Sequence, residues 1–577
     1  MRIFCNTENA IVEFAAAELA SYASRLTGKK AKVASNGCNP KRGDVVLLQA
    51  GEHAETSMPG QIKNLIPRIK HDGFVSGVCA GVCYVAACEE RGILYGVYDL
   101  LECKYGVIFA GPGMEYLPEV RSVSLRGRPA VHNPALSMRF IGFHAFDDAA
   151  TLPGIFDWMA KRKFNGLQMF AHHYMENREV VRIEAAKKRG LRLDIGAHSA
   201  FFFLPPEKYL DSHPEYYAKN AQGKPKQLCY SHFGAADALA GRVNTFLNEN
   251  PEVAVVGLWP EDGFVECSCR NCAGKNLARL VYEFVSRAAE SIAGRHPAVL
   301  INHLAYLNST CPPGGVAPLH DNVLVNFCDY WDRTINHPVC DYRHGCKPLK
   351  NDQECEEYRR TAARFRDHKE ICEEMAAWRK LTKHPTVFSY YSDLIMKQRL
   401  LTNVAKSIQQ DMRYLHALGY EGFVDCCCHP HEWMAMAWNL FALSEFSWDF
   451  EMEYDEVLER FCRGVFGKHG VRDAQRFYEL LDEFENEPCL LGFNVLDLLH
   501  RNPRETAYFA GVIPELVEPC ELRFSSLLHL MKETLDRLAL KSAPVEAVQS
   551  FRQNVYRLED KLKEKFDAYL LCASDRK

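Results

Sequence analysis

The sequence predicts an α/β protein built around a (β/α)8 TIM barrel, which a small α/β domain precedes and a C-terminal helical region follows. Two observations indicate the barrel. From about residue 137 onward, short apolar runs alternate with amphipathic stretches, as βα units require. Eight of the runs have the length and composition of buried strands, which is the number that closes such a barrel. The predicted domains are residues 1–125, 126–450 and 451–577.

The N-terminal domain is predicted from two helices and the β-rich segments between them. Apolar residues recur at helical spacing from Ile11 to Leu26, and Gly28 ends that helix. Residues 44–50 have the composition of a buried strand. A second helix within residues 91–109 carries the apolar stripe Leu94, Tyr98 and Leu101, which needs a partner surface. The prolines that follow mark the expected domain boundary.

The barrel strands are short apolar runs separated by helices with apolar residues at three- and four-residue steps. The predicted strands are residues 139–143, 166–171, 191–197, 253–259, 299–306, 323–327, 387–391 and 422–425. The clearest predicted barrel helices are residues 156–163, 179–189 and 277–293. After about residue 450 the strand pattern ends, and helices are predicted at 456–465, 474–485 and 548–571.

Composition describes an ordinary globular protein and excludes several classes. A hydrophobic content of 47% and a formal net charge of -5 give no electrostatic signature for nucleic acid or an anionic membrane. The N-terminus has neither the apolar core nor the cleavage site of a signal peptide, so a cytoplasmic location and reduced thiols are expected for the 23 cysteines. The oligomeric state, including a homo-oligomer, stays open.

Two adjacent carboxylates, Glu261 and Asp262, follow the fourth predicted strand. Catalytic groups of TIM barrels lie just past the carboxyl ends of the strands, which is where this pair falls. A solvated acidic turn is the alternative, because Pro260 and Gly263 flank the pair.

Polar and aromatic side chains also gather at the other predicted strand ends, and they are candidates for binding a substrate. They are Arg139, His144, His172, His198, His303, Tyr306, Asp329, Tyr391, Asp393 and Trp433. Many donors and acceptors together with aromatic rings, and no Gly-rich phosphate loop, fit a polyhydroxylated sugar better than a nucleotide. The expected partner is therefore a carbohydrate, and no cofactor is expected.

Cys267, Cys269 and Cys272 form a C-x-C-x-x-C cluster beside the acidic pair. Thiolates at this spacing can hold zinc, although the sequence shows no fourth ligand. A structural thiol cluster and a redox-labile disulfide are the alternatives.

Several stretches resemble the bacterial family of domain of unknown function 4838, which is grouped as glycoside hydrolase family 163. They begin at Arg91 (RGILYGVYDLLECKYGVIF), His213 (HPEYYAKNAQGKPKQLCYS), Glu261 (EDGFVECSCRNC), Ile301 (INHLAY) and Asn322 (NVLVNFCDYWDRTINHP). The resemblance covers residues 1 to about 470, and the N-terminal part is similar to the domain that precedes the barrel in hexosaminidases and α-glucuronidases. Where the family has Asn-Asp-Gly, this chain has Glu261-Asp262-Gly263.

The resemblance implies a retaining β-N-acetylglucosaminidase in which the substrate's own 2-acetamido oxygen is the nucleophile. By similarity to hexosaminidases, Glu261 would orient the acetamide and Asp262 would protonate the leaving oxygen. Arg139 and the histidines would hold sugar hydroxyls, and Trp433 or Tyr391 would stack on a ring.

Three alternatives stay open at this point. An α-glucuronidase-like enzyme would pair Asp262 with Asp393 or Asp425 on another strand. A degenerate barrel would bind sugar without turnover. A metal-dependent barrel enzyme would use the histidines as ligands and would be inhibited by chelators.

Overall fold

The structure is a computed structural model. It describes residues 1–34, 39–51, 58–120, 123, 125–145, 148–219, 225–263, 267–306, 309–328, 368–392, 400–428, 430–486, 514–541 and 543–574. No helix within these ranges is both long and apolar enough to cross a membrane.

The N-terminal region is a six-stranded mixed sheet with helices packed on it. Its strands are β1 (Arg2–Cys5), β2 (Lys32–Val33), β3 (Val45–Gln49), β4 (Phe74–Cys79), β5 (Val82–Ala87) and β8 (Ala130–His132), in the order β2-β1-β3-β5-β4-β8. The helices are α1 (Ala10–Thr27), α2 (Gly60–Lys63) and α3 (Glu90–Leu100). A hairpin of β6 (Ile108–Gly111) and β7 (Met114–Tyr116) comes between β5 and β8 along the chain. The sheet extends past the predicted limit at residue 125.

The two long N-terminal helices form where the apolar spacing predicts them. Asn9 caps α1 by accepting a hydrogen bond from the Ile11 N–H, and Gly28 ends it in the left-handed conformation with a φ of 66°. In and just after α3, the stripe Leu94, Tyr98 and Leu101 is fully buried. These helices cover one face of the sheet.

Eight parallel strands close into a barrel, as predicted. They are β9 (Met138–Ala145), β10 (Gly166–Phe170), β11 (Arg192–Gly196), β12 (Val253–Gly257), β13 (Leu300–Ala305), β14 (Val323–Cys328), β15 (His384–Ser389) and β16 (Gly422–Cys428), and β16 pairs with β9 to close the ring. Around them lie α4 (Leu152–Lys161), α5 (Ala171–Val180), α6 (Ala200–Phe203), α7 (Pro206–Tyr209), α8 (Phe233–Glu249), α9 (Leu277–Ala293), α10 (His368–Trp378), α11 (Ala405–Leu418) and α12 (Ala437–Trp448).

The helices of the C-terminal region follow the last barrel helix, and the first of them packs against it. They are α13 (Tyr454–Asn486), which kinks at Gly467, α14 (Pro514–Leu540) and α15 (Val545–Ser574). The ring of Trp438 in α12 lies 5.3 Å from Phe461 and 5.8 Å from Tyr478, measured between centroids. A continuous apolar core therefore joins the barrel to the helical region.

The N-terminal sheet docks on the amino end of the barrel through buried charges. Arg139, the second residue of β9, donates a 2.9 Å hydrogen bond to Asp72, and Asn165 donates to the same carboxylate oxygen at 2.7 Å. Burial opposes ionisation of Asp72, but the guanidinium groups of Arg139 and Arg91 outweigh it and hold its pKa below the usual range. Arg139 is thus a structural residue of the interface.

A second ionic cluster lies at the same interface. Arg162, which follows α4, pairs with Glu102 at 2.7 Å and also with Glu445 of α12. Arg460 of α13 contacts the same two carboxylates, at 3.4 Å and 3.0 Å. One set of buried charges therefore links the N-terminal region, the barrel and the C-terminal helices.

We expect Asp72→Asn to destabilise the protein by about 3–5 kcal/mol, because it leaves the Arg139 charge buried without a counter-ion. The matched control is Asp237→Asn, which breaks the 2.7 Å pair with Arg287, where both side chains are about half exposed; it should cost under about 1 kcal/mol. Urea unfolding followed by tryptophan fluorescence measures both. Equal losses for the two variants would contradict the structural role of the interface pair.

Candidate active site

An aromatic cup closes the barrel lumen at the carboxyl ends of the strands. Its centre is Trp259, two residues past β12, whose indole centroid lies 5.3 Å from the rings of His198 and Phe388 and 6.0 Å from His144. Phe170, at the end of β10, lies 4.8 Å from His144. These rings form an apolar floor with imidazole nitrogens at its side.

Glycine allows the strands to approach closely just below the cup. Gly196 has a φ of 141°, and a Cβ there would lie 2.3 Å from the Gly257 carbonyl oxygen. Residues His198 and Trp259 then pair across β11 and β12 in a parallel bridge. The two glycines therefore bring these two site residues side by side.

A chain of buried amides and one carboxylate supports the cup from inside the lumen. The His144 Nε2 lies 2.9 Å from the Gln168 Oε1, and the Gln168 amide donates to Asp194 at 2.8 Å. Asn302 donates to the same Asp194 oxygen at 2.6 Å and accepts a 3.0 Å hydrogen bond from the Trp259 indole N–H. One carboxylate thus fixes both His144 and Trp259.

Two groups in this hydrogen-bonded network, Asp194 and His144, have shifted pKa values. Burial raises the pKa of Asp194 to about 6, although its two amide donors oppose the rise. Burial lowers the pKa of His144 to about 4, so its ring is neutral at pH 7. A neutral imidazole can offer one donor and one acceptor.

The acidic pair lies at the rim of the cup, and its two members differ in environment. The Glu261 carboxylate is half-buried and accepts a 2.7 Å hydrogen bond from the Phe201 N–H, whereas Asp262 is exposed. Burial raises the pKa of Glu261, and the neighbouring Asp262 charge adds to the rise. Gln227 fixes the Glu261 main chain by donating to its carbonyl and accepting from its N–H at 3.0 Å.

Three predicted histidines meet around Phe170. The rings of His144, His172 and His198 have centroids 4.8, 5.5 and 6.3 Å from the Phe170 ring. Burial lowers the pKa of His198, and the Pro260 carbonyl and the Asp262 charge oppose the change. His198 therefore connects the aromatic floor to the acidic rim.

Tyr306 also lies at the cup, and a tyrosine that the sequence analysis missed accompanies it. The Tyr306 ring packs on the lumen cluster that contains Trp259 and Phe388. The Tyr390 ring lies 5.2 Å from Phe388 in the same cluster, with its hydroxyl 3.4 Å from the Cys328 sulfur. Alternation along the strand would have identified Tyr390, had the register of β15 been known.

The structure does not bring Arg139 to this site, so its predicted role in sugar binding is wrong. It stands near the amino end of β9 rather than the carboxyl end, and its guanidinium serves Asp72 and two main-chain carbonyls. The prediction failed because the residue lies at the start of a strand whose other end faces the site.

His303 and Tyr391 point away from the lumen, which also corrects their predicted roles. His303 is fully buried 5.6 Å from the Trp378 ring of α10, and among the described residues neither ring nitrogen has a hydrogen-bond partner. Burial lowers the pKa of His303 to about 4. Tyr391 donates a 2.6 Å hydrogen bond to Asp411 of α11. Both side chains lie in the layer between barrel and helices.

Trp433 lies past β16, where its six-membered ring packs against the N-terminal hairpin. A Cβ at Gly111 would lie 2.1 Å from the indole, so a larger residue there would require the Trp433 ring to move. The contact gives Trp433 a packing role, and stacking on a sugar stays a prediction. Asp329 and Asp393 lie outside the described residues.

Asp425 is fully buried and held by neighbours of β15. It accepts hydrogen bonds from the Ser389 hydroxyl at 2.8 Å, from the Tyr391 N–H at 2.9 Å and from the Ser392 hydroxyl. A carboxylate with these donors shapes the loop after β15, and this argues against Asp425 as the second catalytic acid of an α-glucuronidase-like site.

The cysteine cluster gains a fourth member that the sequence did not suggest. Cys229 lies with Cys267, Cys269 and Cys272, and the four sulfur atoms are all within 4.8 Å of one another. The segment that carries Cys229 also carries Gln227, which holds Glu261. No sequence signal pairs Cys229 with the other three, because it lies 38 positions before Cys267.

Sequence comparison identifies the family. The profile described as "Domain of unknown function (DUF4838)" matches residues 109–478, which is more than half of the chain. The chain belongs to the DUF4838 family. Residues 1–100 match the profile described as "Glycosyl hydrolase family 67 N-terminus". A comparison with curated proteins finds no match.

Solved structures with the same architecture include a GH138 enzyme targeting pectin rhamnogalacturonan II. It matches 99% of this chain and 70% of its own with 10% sequence identity and a TM-score of 0.55. The β-N-acetylhexosaminidase from Bacteroides fragilis NCTC 9343 matches 83% of this chain and 91% of its own, with 12% identity and a TM-score of 0.49. A GH20 β-N-acetylhexosaminidase from Streptomyces coelicolor A3(2) matches 82% and 92%, with 12% identity and a TM-score of 0.47. The first of these likenesses supports the fold.

We expect Asp194→Asn to change how stability depends on pH. The folded pKa of about 6 lies above the unfolded value, so the contribution of Asp194 is greatest at low pH and is lost as pH rises through about 6. Asparagine has no such dependence. The thermal midpoint of the variant, measured relative to wild type, should therefore rise between about pH 4 and pH 7.

The buried histidines titrate in both proteins. Their contribution to the pH dependence therefore cancels when the two thermal midpoints are subtracted at each pH. A relative midpoint that falls or stays constant over this range would contradict a protonated Asp194 in the lumen.

Proposed function

We propose that this protein is a retaining glycoside hydrolase that cleaves β-linked N-acetylhexosamine with the substrate's acetamido oxygen as nucleophile. The observation that carries the proposal is the asymmetry of the acidic pair. Glu261 is half-buried with a raised pKa, and Asp262 beside it is exposed. Glycosidases place two carboxyl groups in different environments, so that one donates a proton and the other stabilises charge.

The environments suggest a division of roles that reverses the one inferred by family similarity. A protonated Glu261 can accept the Phe201 N–H at Oε1 and donate its proton from the other oxygen to the leaving group. An ionised Asp262 can accept the acetamide N–H. Attack of the acetamide oxygen on C1 then breaks the glycosidic bond, and the proton of Glu261 goes to the departing oxygen.

The second step restores the enzyme. The Glu261 carboxylate takes a proton from water as that water attacks C1, which opens the cyclic intermediate and regenerates the acetamide. During both steps Asp262 balances the positive charge on the acetamide nitrogen. Because each step inverts C1, the product keeps the β configuration.

The cup beneath the acidic pair fits the apolar face of a pyranose. Phe170 is half-buried and can offer a ring face, whereas Trp259 and Phe388 are buried in the floor and support it. The imidazoles of His144, His172 and His198 offer hydrogen-bonding nitrogens at the side. Aromatic surface with a few polar groups is typical of small-molecule sites. Membership of the DUF4838 family and the architecture shared with a GH138 enzyme are consistent with a carbohydrate substrate.

We expect Glu261→Gln to reduce hydrolysis of substrates with poor leaving groups by about 100- to 10,000-fold, because the leaving oxygen is no longer protonated. Activated aryl β-N-acetylglucosaminides should suffer much less. In wild type, kcat/KM should fall as pH rises through the pKa of Glu261, and the variant should lack this limb. Asp262→Asn should impair both substrate kinds alike.

The control is Glu283→Gln, a half-exposed carboxylate of α9 that pairs with Arg279 and should leave the rates unchanged. Aryl β-glucosides, which lack the acetamide, should not be cleaved. The opposite pattern for the two acidic variants would return the roles to those inferred by similarity. Wild-type rates for both folded variants on every acetamido sugar would refute the proposal, and equal cleavage of glucosides would favour a two-carboxylate enzyme.

A further inference from the structure

Four cysteines from two separate segments meet near the acidic pair, Glu261 and Asp262. Cys229 precedes α8, and Cys267, Cys269 and Cys272 precede α9. Cys229 and Cys272 are buried, and the other two are half-buried. The four sulfur atoms all lie within 4.8 Å of one another.

The distances from the Cys229 sulfur to the other three sulfur atoms match a tetrahedral metal site. The Cys229 sulfur lies 3.7 Å from those of Cys269 and Cys272 and 3.8 Å from that of Cys267. Thiolates at the corners of a tetrahedron with zinc–sulfur bonds of about 2.3 Å are about 3.8 Å apart. A disulfide would need a separation of about 2.05 Å.

We propose that Cys229, Cys267, Cys269 and Cys272 bind one structural zinc ion. Four thiolates are a soft ligand set that excludes magnesium and calcium, which take oxygen ligands. A site closed by four cysteines has no position left for water or substrate, so the ion acts on structure and not as a Lewis acid in the reaction. Each cysteine loses its proton on binding, and no oxidation occurs.

The surroundings of the sulfur atoms supply donors for thiolates. The Lys219 N–H donates to the Cys267 sulfur at 3.3 Å. The Ser231 hydroxyl lies 3.1 Å from the Cys272 sulfur and 3.3 Å from the Cys229 sulfur, where it can donate to either. Such hydrogen bonds orient metal ligands and spread their charge.

The zinc would hold the two segments that position Glu261. Gln227, two residues before Cys229, binds both the N–H and the carbonyl of Glu261. Cys267 follows Glu261 by six residues on the other side. Residues 227–229 are therefore fixed both to Glu261, through Gln227, and to Cys267, through the metal.

Elemental analysis of the full-length protein, purified with a thiol reductant and without chelator, tests the proposal. We expect about one zinc per chain. X-ray absorption at the zinc edge should show four sulfur neighbours at about 2.3 Å. One iron per chain in place of zinc, no stoichiometric metal even after incubation with zinc chloride, or a disulfide among the four cysteines would overturn it.

A pair of single substitutions locates the metal. Cys229→Ser removes the ligand that only the structure assigns, and it should abolish stoichiometric zinc and lower the thermal midpoint. The matched control is Cys79→Ser, which changes a cysteine of similar burial in β4, far from the cluster along the chain, and should keep one zinc per chain. Equal zinc in the two variants would refute the assignment of Cys229.

If Cys229→Ser does not fold, wild type still tests the site. A strong chelator should lower its thermal midpoint, zinc should restore it, and magnesium should not. A midpoint that the chelator leaves unchanged while it removes the zinc would overturn the structural role. These measurements do not depend on turnover, so they stand or fall separately from the proposed glycosidase activity.

Discussion

The buried carboxyl group of Asp194 anchors the hydrogen bonds that orient the floor of the candidate site. One of its oxygens accepts hydrogen bonds from Gln168 on β10 and Asn302 on β13, and these amides reach His144 and Trp259 in turn. In many TIM barrels branched apolar side chains fill the lumen. A polar chain instead fixes the direction of each ring above it, because every amide has one orientation that satisfies its neighbours.

The two ends of the barrel have different tasks. At the amino end, buried ion pairs such as Arg139 with Asp72 dock the N-terminal sheet and resist separation. At the carboxyl end, the Glu261 carboxylate accepts the Phe201 N–H at one oxygen, and the proposed function assigns the catalytic proton to the other. This is the division expected of TIM barrels, in which one face stabilises and the other reacts.

Sequence periodicity was sufficient for the architecture because eight apolar runs and their helices are local patterns. It was insufficient for side chains whose direction, toward the lumen or toward the helices, depends on strand register. Phe388 and Tyr390 join the lumen cluster, so Tyr391, the next residue along the chain, faces α11 instead. The prediction for His303 is wrong for the same reason, since neighbouring residues in a strand point to opposite faces. Cys229 could not be found at all, because its partnership exists only in three dimensions.

The contact between Trp433 and Gly111 has a consequence for how members of this family can be recombined. The hairpin that carries Gly111 belongs to the N-terminal region, while Trp433 belongs to the loop after the last barrel strand. Any side chain at position 111 would collide with the indole. The N-terminal region is therefore not a freely exchangeable module. We expect a chimaera of two relatives to pack best when residues 111 and 433 come from the same parent.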